Sequence, residues 1–348
     1  MPDIYKIQFK PMRIILFLTL LLSGMNVFGQ HNDQTVLFKD EAPLDIKMKF
    51  NVKQVKSITV DTIYTATAIH FKNGDRWDSV RADVRVRGNF RRANCYFPPL
   101  RIKIKKEHAK GTVFEGNRSL KLVMPCKSAK DGNLILREYL CYQMYEPVTK
   151  YTFNTRLVNI DFTDESNKKM SHITIPGFFI EDDDQVAKRH HGEVVERKLH
   201  PLAMDDSTSL RHDFFQFMIA NTDWSTAFMH NAKLIQLTES KKFIPLTYDF
   251  DMSGFVDAPY AEANETLGIS SVRERLYRGF CRNPEIVQAV RKEYQDKQQA
   301  IMAPLKAYQA SFDPKEYAGM VKYMDDFFAI LNNDSKFKLL VTDKCRTR

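Results

Sequence analysis

Between positions 221 and 254 the chain reads NTDWSTAFMHN, a short apolar segment, and then YDFDMSG. Asp223 and Asn231 stand eight positions apart, and Asp249 follows eighteen further on. Phosphoryl transfer needs a carboxylate to orient or deprotonate the acceptor hydroxyl. It also needs an amide oxygen and a second carboxylate to hold magnesium on the nucleotide phosphates. Asp223 supplies the first role, and Asn231 and Asp249 the second. Asp and Asn are also common turn and cap residues, so each means little alone; the order and spacing of the three carry the reading. In YDFD, period-two alternation puts Asp251 on the face of Asp249, as an auxiliary metal ligand, and turns Phe250 to the core.

A helix and a hairpin must bring these groups together. Over 207–219 the residues Leu210, Phe214, Phe215, Met218 and Ile219 share one helical face, which leaves Asp223 in a loop at the helix's C-terminal end. NAKLIQL and KKFIPLTY read as two hairpin strands with Asn231 opening the first and Asp249 ending the second. His230 is a hydrogen-bonding loop residue and Trp224 packs the loop.

A second set is basic. Arg85, Arg87, Arg91 and Arg92 surround a Gly88-Asn89 turn signal, Arg101, Lys103 and Lys105 alternate on the next strand, and Lys121 follows in SLKLV. Such an edge suits a triphosphate, with Gly88 permitting close backbone approach and Arg87, Arg101, Lys103 and Lys121 neutralising charge. A solvated strand face is the plain alternative. Glu138 in LREYL is placed to pair with a strand cation, and the acidic run 181–184 either lines a nucleotide edge through Glu181 or caps the following helix.

Around these lies an α+β chain. Residues 30–106 are strand-like, 119–124 forms another strand, 133–145 a helix ending before Pro147, and RLVNIDF and GFFIED two further strands. After 182 helices dominate, with two long ones over 284–311 and 314–331. Of 348 residues 43% are hydrophobic and 27% charged, an ordinary globular balance. The net charge of +9 is spread along the chain; it suits phosphate-rich or acidic partners without arguing for nucleic acid.

Residues 1–29 read as an export signal: Lys6, Lys10 and Arg13, a nine-residue apolar run over 14–22, then small residues before Gln30. That run is short for a membrane span, and no later segment spans one, so the mature chain is expected in the periplasm or outside the cell. Five cysteines permit at most two bridges. Cys95 and Cys126, both in polar turns beside strands, are the candidate pair, and Cys141 sits on an apolar helix face as a small hydrophobe.

RGNFRR, PLRIKI, SLKLV, LREYL, GFFIEDDDQ, NTDW…MHN and YDFDMSG occur in the order seen in the spore-coat CotH kinase-like family, and from 84 to 254 the chain resembles it. The resemblance implies an atypical, bilobal kinase-like fold that uses ATP and Mg2+, with an N-terminal lobe over 40–181 and a C-terminal lobe over 182–340. Asp223 would match the catalytic-loop aspartate, Asn231 the metal-binding asparagine and Asp249 the aspartate that follows the hairpin, with Gly88 in a shortened phosphate loop. Pro98 stands where the family carries a strand lysine, which leaves Arg101, Lys103 or Lys121 for the phosphates. The expected activity is phosphoryl transfer to Ser or Thr of an envelope or secreted protein. The alternative is a kinase-like scaffold without turnover.

Overall fold

Apolar alternation sets the inside of a barrel. The computed structural model describes residues 34–347, and the expected export signal lies outside them. Seven strands form first: β1 (Leu44–Phe50), β2 (Thr65–Asn73), β3 (Arg76–Val86), β4 (Leu100–Lys103), β5 (Ser119–Val123), β6 (Thr155–Asp164) and β7 (Ile173–Ile180). They close in the order β1-β2-β3-β4-β5-β7-β6. Every pairing is antiparallel except the closing one, where β1 runs parallel to β6 from Leu44 opposite Val158 to Phe50 opposite Asp164. In β1, Leu44, Ile46, Met48 and Phe50 are buried while Lys47 and Lys49 face out. Ile69, Val84, Ile102, Leu120, Ile160 and Phe179 join them to fill the interior. A barrel of this size is packed by its own side chains and is not a pore.

This closure overturns the bilobal kinase-like architecture, although the α+β class stands. Strand patterning reports which face each residue takes but not which strand lies alongside, so the parallel β1–β6 seam left no local trace.

Helices and a second sheet complete the chain. Helix Gly132–Tyr145 lies against β7, and Asp206–Met218 packs on β10. The second sheet has order β10-β9-β8, built from β8 (Gly192–Val195), β9 (Ala232–Leu237) and β10 (Phe243–Thr247). The helix expected over 284–311 is interrupted: Pro284–Asp296 and Gln298–Ala307 meet at Lys297, and Gln309–Ser311 is a 3-10 turn. Pro314–Leu331 is continuous, and Asp334–Leu340 follows it. The Gly88-Asn89 turn signal also resolves differently. Gly88, at φ 73°, caps the short helix Asn89–Asn94 instead of joining two strands directly.

Disulfides join Cys95 to Cys126 and Cys281 to Cys345, while Cys141 is free and buried. Such bridges belong to an oxidising compartment. Among the described residues no helix is long and apolar enough to cross a membrane.

The barrel interior should be intolerant of truncation. Phe179 is fully buried and meets Phe114 edge to face at 5.8 Å. Phe179→Ala is expected to lower the unfolding free energy by about 3–5 kcal/mol, read from urea melts by circular dichroism. A change within error would contradict the interior packing described.

Candidate functional site

The end of helix Asp206–Met218 turns sharply at Ala220, whose φ is 50°, and delivers the loop holding Asp223. Asn221 braces this loop: its Oδ1 accepts from the Asp223 amide at 3.0 Å, and its carbonyl accepts from Trp224 Nε1 at 3.0 Å. Asn231 then crosses back. Its Nδ2 donates to the Asp223 carbonyl at 2.8 Å and to Asp223 Oδ2 at 2.9 Å. His230 Nε2 lies 2.7 Å from the other carboxylate oxygen, Oδ1. Of the residues named from the sequence, Asp223 and Asn231 are therefore in direct contact, with the amide nitrogen committed to Asp223.

Asp249 arrives from the other end of the hairpin. Ala232 pairs with Thr247, and the Tyr248 amide donates to the Asn231 carbonyl at 3.2 Å, so Asn231 and Asp249 leave the ribbon side by side. Both have left-handed backbones, φ 49° at Asn231 and 66° at Asp249. Asn and Asp tolerate that region best among residues with side chains, but it persists only where surroundings impose it. At Asp249 the surroundings include Tyr142, whose hydroxyl accepts from the Asp249 amide at 3.0 Å, and Arg87, whose Nη2 lies 3.7 Å from Oδ2.

That same backbone kink corrects the reading of YDFD. Because Asp249 is left-handed, strict alternation ends at β10 and Asp251 does not share its open face. Phe250 does reach the core, against Tyr142 at 4.7 Å and Phe215 at 5.4 Å. Asp251 is buried, accepts from the Tyr260 hydroxyl at 3.1 Å and lies 3.8 Å from Arg91 Nη1. The same Arg91 nitrogen lies 3.9 Å from Glu138. Burial, then Asp249, lifts the Asp251 carboxyl to about 6. Burial, then Asp251, raises Glu138 well above the usual range. Burial works against the Arg91 charge, but Asp251, Tyr260 and Glu138 more than restore it. Asp251 is thus held in a buried ion cluster with Arg91 and Glu138.

The basic edge is partly as expected. Arg85, Arg101 and Lys121 oppose one another across β3, β4 and β5, which puts them on one outer face of the barrel. Tyr248 ties that face to the hairpin, with Arg87 5.8 Å and Lys121 4.9 Å from its ring centre. Gly88 lies one residue beyond Arg87 and its left-handed φ needs a glycine.

The remaining contacts named from sequence are consumed within the fold. Arg101 pairs with Asp182, and Lys103 is exposed over the Tyr64 ring at 4.3 Å. Glu181 is buried, pairs with Arg189 at 2.8 Å and accepts from the Asn154 amide at 3.0 Å. Acid–base pairing, invisible in a linear charge pattern, claims Arg101 and Glu181.

Lys121 has the buried partner Asp183, at 3.2 Å, with Lys233 3.8 Å from the other oxygen. Burial opposes the Asp183 charge, yet Lys121 and Lys233 outweigh it and hold the carboxyl at about 2. For Lys121, burial outweighs Asp183 and the ammonium is pulled below the ordinary lysine range. Burial thus costs the ammonium its charge more than it costs the carboxylate, and in acid the pair's pH dependence is carried by Asp183.

The donor set can be tested against magnesium. Among the described residues no three His, Cys, Asp or Glu side chains gather to hold a metal ion. One carboxylate, Asp249, and one amide oxygen, from Asn231, are too few for a resident ion. They do fit magnesium that arrives with phosphate oxygens in its shell. Sequence reasoning missed Tyr142, Tyr260, Asp183 and Lys233 as neighbours of the site. Only Asp183 carried a signal, as one of the acidic run 181–184. No protein-family model matches the chain, and no curated protein matches it.

The Asp183 ion pair sets a pH dependence. A carboxyl whose folded pKa is depressed stabilises the fold above its unfolded pKa, and that contribution fades as pH falls towards the folded value. Stability on the order of 2 kcal/mol should be lost between about pH 4 and pH 2 through Asp183. Asp183→Asn should flatten the acid limb of a stability-versus-pH curve by that amount. Parallel curves for the two proteins would contradict the pairing.

Proposed function

We propose that this chain transfers a phosphoryl group from a magnesium-bound nucleoside triphosphate, ATP, to a Ser or Thr hydroxyl on a protein of the cell envelope or outside the cell. The observation that carries the reading is the Asn231 amide bonded to Asp223 at 2.9 Å while Asn231 and Asp249 leave one ribbon side by side. The ordered motifs shared with the CotH kinase-like family support it, and the two disulfides suit export. The activity is read from the site, not from a kinase fold.

In this reading Asp223 orients the acceptor hydroxyl and takes its proton, its carboxylate already fixed by His230 and Asn231. Asn231 and Asp249 hold the metal, whose charge, when it is bound, neutralises the phosphates. Arg87 and Lys121 bring positive charge to the ring of Tyr248.

A second reading, a nucleotide-free scaffold, is favoured by one observation: Arg101, Glu181 and Lys121 already have internal partners. Thermal stabilisation by ATP with Mg2+ separates the two, since a scaffold gives no shift.

Purified protein should label itself with γ-phosphate only when Mg2+ is present. Asp223→Ala should reduce the initial rate by about 10²–10⁴-fold while leaving the circular dichroism spectrum intact. Equal labelling of the two proteins would remove the catalytic assignment.

A further inference from the structure

A left-handed aspartate needs neighbours that hold it there, and Asp249 receives two direct polar contacts, from Tyr142 and Arg87. The rest of the restraint falls on the residues immediately after it. Asp251 is 5% exposed, and the cation facing it, Arg91, is 6% exposed. We propose that Arg91 is a positioning residue: its guanidinium clamps the 249–251 turn to helix Gly132–Tyr145, and the Cys95–Cys126 bridge keeps that clamp in register. The proposal rests on reading Asp249 as a metal ligand.

Three segments meet at this one side chain. Nη1 faces Asp251 at 3.8 Å and Glu138 at 3.9 Å, and Nη2 donates to the Met124 carbonyl. Glu138 and Tyr142 lie four residues apart on one helix, and so on one face. The helix therefore grips the turn twice, through the Tyr142 hydroxyl on the Asp249 amide and through Arg91 on Asp251. Only a planar fork reaches acceptors in such different directions; an ammonium is a point charge.

The bridge sits next to the clamp on both strands of the connection. Cys95 is four residues after Arg91, and its amide donates to the Arg91 carbonyl at 2.9 Å. Cys126 is two residues after Met124, and its carbonyl accepts from the Tyr96 and Phe97 amides at 2.7 and 3.2 Å. The cross-link thus joins the segment that carries the guanidinium to the segment that receives it. The second bridge, Cys281–Cys345, joins residues near the C-terminus and touches none of these groups.

Deleting Arg91 outright would leave two buried acids unpaired, so the test keeps the charge. Arg91→Lys and, by a separate route, Cys95→Ser with Cys126→Ser are compared with wild type by hydrogen exchange and mass spectrometry. Amides of 249–253 should exchange faster in either folded variant while helix Pro314–Leu331 keeps its protection. Cys281→Ser with Cys345→Ser should leave 249–253 as in wild type. Binding of Mn2+ with a non-hydrolysable ATP analogue, followed by electron paramagnetic resonance, should weaken about tenfold in the first two proteins. Wild-type exchange at 249–253 in both variants would overturn the clamp, and unchanged Mn2+ affinity beside a loosened turn would overturn its action on Asp249. Were wild type to bind no Mn2+–nucleotide, the functional reading would fail, while the exchange result would still decide the clamp.

Discussion

Two hydrogen bonds from one amide group organise the site. Asn231 Nδ2 gives both of its protons to Asp223, one to the carbonyl and one to the carboxylate. Both protons of the amide are thereby spent on Asp223, which ties the residue that opens the ribbon to the helix loop. Without that contact the helix loop and the β-ribbon would present three unrelated polar side chains. With it, the helix loop and the ribbon are joined at Asp223 and Asn231.

The rest of the molecule keeps those two elements in place. Aromatic packing does most of this below the site, where Phe250 lies between Tyr142 and Phe215 and fixes the direction in which Asp249 leaves the ribbon. Above it, the barrel contributes a face and not a cavity. Arg87, just past β3, and Lys121, on β5, both reach the Tyr248 ring, so the closed sheet acts as a rigid wall that carries charge to the ribbon's end. Closure through the parallel β1–β6 seam stiffens that wall more than an open sheet with a free edge would.

What was legible in the sequence was local. Apolar periodicity placed the helix before Pro147, observed at Gly132–Tyr145, and the turn cysteines gave the Cys95–Cys126 bridge. The hairpin and the burial of Phe250 followed from alternation. What was hidden depends on partners distant in sequence. The seam between β1 and β6 has no sequence signature, and it replaced the expected bilobal arrangement. Glu181 and Arg101 looked available because their partners, Arg189 and Asp182, had to be brought beside them by folding. The burial of Asp251 beside Arg91 was hidden likewise, since that partner comes from a segment distant in sequence.

Many of the charged groups named from the sequence are therefore spent within the fold: Arg91, Glu138, Asp251, Arg101 and Glu181 all have internal partners. The most direct measurement is a crystal of this protein soaked with Mn2+ and a non-hydrolysable ATP analogue, with the metal located by its anomalous signal. The account predicts a Mn2+ peak coordinated by Asn231 Oδ1 and an Asp249 carboxylate oxygen. A peak on other side chains, or nucleotide bound with Asp249 and Asn231 bare, would contradict it.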